Sequence, residues 1–243
     1  MKKFIILIAA IVLFSLHSMA QTPNWAWAKS AGNAGADYAT SVTSDATGNV
    51  YVTGYFYSTT ITFGSTVLTN ADVSGSTSDI YLVKYDANGT VIWAKSAGGT
   101  GNDLAASVTT DAAGNVYVGG WYKSTSIYGM ANTNTNQDMF LAKYSSGGAV
   151  LWTKRAGSTA NDAAMSIHTD AAGNVFVAGY FQGLGITFGS YNLTNTVANA
   201  FATFFVKYDG SGNVVWATCP TGRNYSEATA VTVDAAGNAY QTG

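Results

Sequence analysis

The chain has 243 residues, of which 10% are charged, and its formal net charge is −2. Its eleven basic residues form no lysine or arginine stripe, which excludes an electrostatic nucleic-acid interface. One cysteine, Cys219, excludes an internal disulfide, so stability has to come from packing and backbone pairing.

The first twenty residues, MKKFIILIAAIVLFSLHSMA, predict a secretory signal peptide. Lys2 and Lys3 precede an apolar run from Phe4 to Leu16, and Ser18-Met19-Ala20 is a small-x-small cleavage site before Gln21. The alternative is a membrane anchor, but the run falls short of the roughly 20 residues a span requires. No cysteine follows the run to carry a lipid, and no later segment is apolar for long enough to cross a bilayer. Cleavage after Ala20 removes two lysines and takes the net charge to −4. The expected address is secreted or on the outer cell surface.

Residues 21–243 then repeat. DATGNVYVTG starts at Asp45, DAAGNVYVGG at Asp111, DAAGNVFVAG at Asp170 and DAAGNAYQTG at Asp234, at spacings of 66, 59 and 64. The tryptophans Trp27, Trp93, Trp152 and Trp216 keep the same three spacings. Two motifs holding one phase establish a tandem unit of about sixty residues. The predicted boundaries are a lone outer strand at 25–30, repeat 1 at about 38–96, repeat 2 at about 104–155, repeat 3 at about 163–218 and a partial repeat 4 at about 227–243.

Each unit reads as four strands, illustrated by the first. Ala39 to Ser44 ends in the turn Asp45-Ala46-Thr47-Gly48, and Asn49 to Phe56 follows. Ile80 to Tyr85 ends in Asp86-Ala87-Asn88-Gly89, and Thr90 to Lys95 carries the tryptophan. Glycine supplies the positive φ of a short hairpin connection, and the strands are rich in β-branched and aromatic residues. Pro23 and Pro220 fall at strand margins, and no helical period follows the leader. The second strand is apolar on both sides, with Val50 and Val52 alternating with Tyr51 and Tyr55. A sheet wet on one face would alternate with polar residues, so each sheet is expected between two neighbours, as in a β-propeller. A two-layer sandwich is the second choice. The strand before the Asp-turn holds Ala39, Ala105, Ala164 and Ala228 at one register, as a crowded innermost strand would. Val42, Val108, Ile167 and Val231 form the next apolar register. Three units and part of a fourth predict either the N-terminal fragment of a longer ring or a small ring short of one strand.

The units D-A-x-G-N-V-Y-V-x-G and D-x-[YF]-L-x-K-Y-x-x-x-G-x-[VIL]-[VIL]-W resemble the bacterial SBBP β-propeller repeat. They cover nearly all of the chain after Ala20. The resemblance implies an exported or surface protein of the type found in the gliding-bacteria phylum, mostly with seven blades and often with further domains such as a C-terminal sorting domain. It implies no catalytic residue.

The candidate sites follow from the repeat. The turn residues Asp45, Gly48, Asn49, Asp111, Gly114, Asn115, Asp170, Gly173, Asn174, Asp234, Gly237 and Asn238 invite a calcium reading. Calcium wants six to eight oxygens, whereas each turn offers one carboxylate and one amide, and a self-bonded turn explains all three residue types. Asp37, Asp103 and Asp162, with Ser226 in the fourth unit, are expected to accept backbone N–H bonds between blades. The recurring Lys84, Lys143 and Lys207 are expected to cover apolar surface. Paired-carboxylate hydrolysis is the sharper reading, but identical acids on every blade argue against a single active site. His168 lacks partners for zinc or serine chemistry. Tyr55, Tyr57, Trp121, Tyr122, Tyr180 and Phe181 gather where the second strand ends, and long insertions follow, two of them reading ITFGSTVLTN and ITFGSYNLTN. Exposed, they suit a glycan or a protein partner, and otherwise they pack between blades. The expected function is a binding or scaffold module without cofactor or catalysis. The alternatives are a polysaccharide-acting propeller enzyme and a purely structural adhesin segment.

Overall fold

A computed structural model describes residues 26–197, 200–220 and 226–243. The predicted leader, together with Pro23 and Trp25, lies outside the described residues. All regular structure among the described residues is β. β1 (Asp37–Ser44) and β2 (Val50–Phe56) lead into a small hairpin, β3 (Thr60–Phe63) and β4 (Thr66–Thr69), and then β5 (Asp79–Tyr85) and β6 (Val91–Ala97). The second unit repeats this with β7 (Asp103–Thr110), β8 (Val116–Tyr122), β9 (Ser126–Ile127), β10 (Met130–Ala131), β11 (Asp138–Tyr144) and β12 (Val150–Ala156). The third has β13 (Asp162–Thr169), β14 (Val175–Phe181), β15 (Gly185–Phe188), β16 (Tyr191–Thr194), β17 (Ala202–Tyr208) and β18 (Val214–Thr218). β19 (Ala230–Val233) and β20 (Ala239–Thr242) start a fourth.

Three four-stranded antiparallel sheets result, in the orders β1-β2-β5-β6, β7-β8-β11-β12 and β13-β14-β17-β18, followed by the pair β19-β20. The chain is thus a partial β-propeller, an open row of blades. Their first strands are innermost and touch in sequence: the N–H groups of Val108, Ile167 and Val231 donate to the hydroxyls of Ser41, Ser107 and Ser166 at 3.2, 3.2 and 3.1 Å. A one-residue bulge just before each of these serines turns it toward the following blade.

The core lies in the seams. Tyr51, Ile80 and Leu82 of the first blade pack on Val108, Val118 and Phe140 of the second. Tyr117, Met139 and Leu141 of the second pack on Ile167, Val177 and Phe204 of the third. Burying a side chain of this size contributes roughly 1.5–3 kcal/mol, so the second and third sheets draw stability from both flanks and the first from the one that faces the second. The alanine register behaves as an inner register should wherever a blade precedes it: Ala105, Ala164 and Ala228 are buried, while Ala39 on the first blade is exposed.

Two sequence expectations need correction. No strand forms over residues 26–30, which enter no backbone ladder with a neighbouring strand. Trp27 still docks as an outer-strand tryptophan does, donating to the Ala87 carbonyl at 3.0 Å, as Trp93 does to Ser146 and Trp152 to Gly210, each at 3.1 Å. The insertions are not free loops. They fold into the hairpins, whose apolar residues, Ile61, Phe63 and Leu68 or Ile186, Phe188 and Leu193, cover the outer half of a blade face.

Candidate functional site

Each blade has two edges. The lower edge carries both hairpin turns. The upper edge is where the first strand begins, the second ends and the third begins.

At the lower edge the Asp-turn is self-contained. Asp45 Oδ1 accepts the N–H groups of Thr47 and Asn49, both at 3.0 Å, and Oδ2 accepts the Asn49 amide at 2.8 Å. Asn115, Asn174 and Asn238 repeat the amide bond to Asp111, Asp170 and Asp234. Gly48, Gly114, Gly173 and Gly237 all take positive φ, which closes the turn without Cβ strain. The turn reading of these residues describes their geometry. The sequence reading missed a partner: the recurring lysines reach the same carboxylates, Lys143 to Asp111 at 3.6 Å and Lys207 to Asp170 at 3.5 Å, with Lys84 and Asp45 at 4.0 Å. Each ammonium also lies over the aromatic ring of its own second strand, Tyr51, Tyr117 or Phe176. Lys84 and Lys143 then cross the seam to the carbonyls of Ser146 and Gly210. Burial opposes ionisation of Asp45, but hydrogen bonds from Asn49, Thr47 and Tyr51 outweigh it and hold the carboxyl well below the usual range.

The upper edge is built differently. Asp103 accepts the N–H groups of Gly99, Lys123 and Ser124 and the Ser124 hydroxyl. Asp37 serves Asn33 and Ser58 in the same manner, and Asp162 serves Ser158. These acids accept backbone N–H groups, but from their own blade and the linker entering it rather than across to a neighbouring blade, tying the incoming linker to the exit of the second strand. Beside them lie Asp79 and Asp138, also buried. Their signal in the sequence was joint replacement: Asp79 and Asp138 become Ala202 in the third unit, where Asp103 and Asp162 become Ser226. Desolvation raises all four carboxyls, Asp103 to about 6 and Asp162 to about 7, and the Asp79 and Asp138 charges add to it. Arg155 pairs with Asp138 at 3.1 Å, whereas the matching place in the first blade is Ser96.

The aromatic candidates divide by strand alternation. Tyr122 and Phe181 are fully buried, which corrects their placement among exposed aromatics: they share a face with the core beneath the hairpins, as Phe56 does. Tyr55, Tyr57, Trp121 and Tyr180 are half-buried. Tyr55, Trp121 and Tyr180 hold one register, opposite Tyr38, Leu104 and Ala163. The exposed ring of Tyr38, absent from the sequence reading, stacks on Tyr55 at 4.9 Å, and Tyr57 meets Tyr55 edge-on at 6.1 Å. Tyr180 meets Phe201 edge-on at 5.0 Å, and its hydroxyl lies 3.5 Å from the Gln137 amide oxygen of the preceding blade. The same edge carries the amides of Asn33, Asn134 and Asn136, which bond to Thr60, Ser158 and Thr159.

No helix among the described residues is long and apolar enough to cross a membrane. No family model matches the chain. Among curated proteins, an uncharacterized WD repeat-containing protein of Acanthamoeba polyphaga mimivirus is 25% identical over 262 aligned positions. The alignment takes in 84% of this chain, which spans about a fifth (19%) of that relative's length. Among solved structures, a protein of unknown function from Bacteroides caccae aligns at 11% identity, covering 75% of this chain and 82% of its own, with a TM-score of 0.27. The chain is therefore similar in sequence to a WD repeat-containing protein, in keeping with its repeated β-sheets.

Proposed function

We propose that the protein is an exported, non-catalytic binding module of SBBP type whose upper edge holds a neutral glycan outside the cell. The observation that carries this is the register of Tyr55, Trp121 and Tyr180, which sets one half-buried ring at the same place on three successive blades. Flat rings framed by amides and hydroxyls suit the apolar faces and hydroxyl edges of sugars. The nearby acids Asp103 and Asp162 are buried and hydrogen-bonded inward, which favours an uncharged ligand at this edge. Asp45 spends both oxygens on turn, tyrosine and lysine partners, which favours the structural reading of the Asp-turn over a calcium site there.

The test is titration of a panel of neutral oligosaccharides onto the protein and its Tyr55→Ala, Trp121→Ala and Tyr180→Ala variants. Each truncation is expected to weaken binding roughly tenfold, the loss of about 1–2 kcal/mol typical of an aromatic anchor. No glycan binding by the unaltered protein, or unchanged affinity in all three variants, overturns the proposal.

A further inference from the structure

The third strand of the second blade and that of the third blade each end in a tyrosine, Tyr144 in β11 and Tyr208 in β17. Both side chains are buried with the hairpin of their own blade. In the second blade the hairpin satisfies the phenol. Tyr128 rests on Phe140, ring centroids 5.9 Å apart, and its hydroxyl lies 2.5 Å from that of Tyr144. In the third blade Phe188 takes that part, resting on Phe204 at 4.9 Å, and it brings no hydroxyl. The Tyr208 hydroxyl is therefore without a hydrogen-bond partner among the described residues, although Tyr208 is only 2% exposed. Burial holds this phenol well above its ordinary pKa, so it keeps its proton and remains a donor.

Tyr208 lines a cavity of about 260 Å³ in the seam between the second and third blades, with the hairpin turn at Gly189, the turn at Gly212 and, from the preceding blade, Lys154 and Arg155. The Arg155 guanidinium is already committed to Asp138 and the Ala131 carbonyl, which leaves Lys154 as the cation of the cavity. Among the described residues Lys154 makes no ion pair. Its stem crosses Gly212, where a methyl group would come within 2.5 Å of Cε, and its ammonium lies 5.8 Å from the centre of the Trp152 ring. Asp209, the acid of that turn, spends both oxygens on Ser211 and Asn213 and does not line the cavity. We infer that this cavity binds a small oxyanion, a phosphate, sulfate or carboxylate group held between the Tyr208 hydroxyl and the Lys154 ammonium. An ammonium has donors alone, and the proton of the phenol is the part that burial has stranded, so one anionic acceptor satisfies both through charge-assisted hydrogen bonds. The volume falls below the roughly 300–1,000 Å³ of drug-sized sites, which limits the ligand to one anionic group with few attached atoms. Both walls belong to four-stranded sheets inside the row of blades. The site lies at the opposite edge from Tyr55, Trp121 and Tyr180, so it stands apart from the glycan reading.

The test is an NMR titration with inorganic phosphate, sulfate and acetate at constant ionic strength, followed at the amides of Gly189 and Gly212. At least one of the three ions is expected to shift both amides saturably in the millimolar range. Phosphate and sulfate without acetate would support a tetrahedral group, and acetate alone a carboxylate. Tyr208→Phe and Lys154→Met should each weaken binding at least about fivefold, the loss of one charge-assisted hydrogen bond. Phe188→Tyr should weaken it comparably while leaving Lys154 and Tyr208 in place, because it gives Tyr208 the hydroxyl partner that Tyr128 gives Tyr144. That variant adds a hydrogen bond and removes none, so it tests the site even where a truncation disturbs folding. No saturable shift with any of the three ions, or an affinity unchanged in all three variants, overturns the inference.

Discussion

The two edges of a blade obey different rules. At the lower edge the same aspartate, glycine, asparagine and lysine recur on successive blades, and the acids stay ionised because lysine and turn donors surround them. At the upper edge the residues diverge. Tyr38 becomes Leu104 and then Ala163, Ser96 becomes Arg155, and the acid pair disappears from the third seam. A repeat keeps what each copy needs in order to fold and is free to vary what one site needs. On the proposed function, the uniform edge is the scaffold and the variable edge is where a ligand would be told apart. The lysine latch makes the point physically, because it satisfies a carboxylate, an aromatic face and a neighbouring carbonyl at once.

The largest effect should come from a glycine at the upper edge that is structural despite its location. A methyl group on Gly120 would overlap the Leu104 carbonyl oxygen and press on Phe140, and Gly54 and Gly179 face Tyr38 and Ala163 in the same way. Gly120→Ala is expected to cost at least about 3 kcal/mol. In thermal melts that lowers Tm by roughly 6–12 °C for a chain of this size, and an unchanged Tm would refute the close approach. Next is Asp111→Ala. It removes the turn acceptor and strands Lys143 in a largely buried place, at about 2–3 kcal/mol. Asp234 has, among the described residues, no lysine across from it, so Asp234→Ala should cost clearly less than Asp111→Ala. Equal losses from the two substitutions would separate the latch from stability.

Most of the fold was legible because it is periodic. The turn at Asp45, the strand at Val50 and the lysine at Lys84 are local or repeated signals that survive on one chain without coordinates. The alternation in the second strand announced burial on both sides, and the inner alanines announced crowding. The hairpins were hidden because four-residue strands flanking Gly64 or Gly189 look like loop text until their apolar residues meet a blade face. The aromatic site was half legible. Composition grouped Trp121 with Tyr122; alternation sets them on opposite faces, and the packing of β8 against its neighbours shows that Tyr122 has the buried one. Tyr38 was missed because it lies on another strand, where it has no aromatic counterpart in the other units to mark it.

The smallest effect, and the one that contrasts the edges most directly, is their opposite response to pH. Asp103 and Asp162 have folded values near 6 and 7, above the ordinary 3.8, mainly because burial penalises the charged form. The folded protein therefore holds these protons more tightly than the unfolded chain. The stability they add is full below about pH 4 and is lost progressively as pH rises through 6 and 7. Asp45, Asp111 and Asp170 are lowered, so their contribution is present above about pH 4 and declines as pH falls below it. The sum predicts a Tm that is higher near pH 5 than near pH 8, the slope between them set by the upper edge alone. Asp162→Asn should flatten that slope, since a neutral amide can still accept the Ser158 N–H and donate to its hydroxyl in place of the acid. Lys143→Met should leave the slope intact while lowering Tm at both values. A Tm that instead climbs from pH 5 to pH 8 would mean that the inward hydrogen bonds on Asp103 and Asp162 outweigh their burial, and the two edges would then be electrostatically alike.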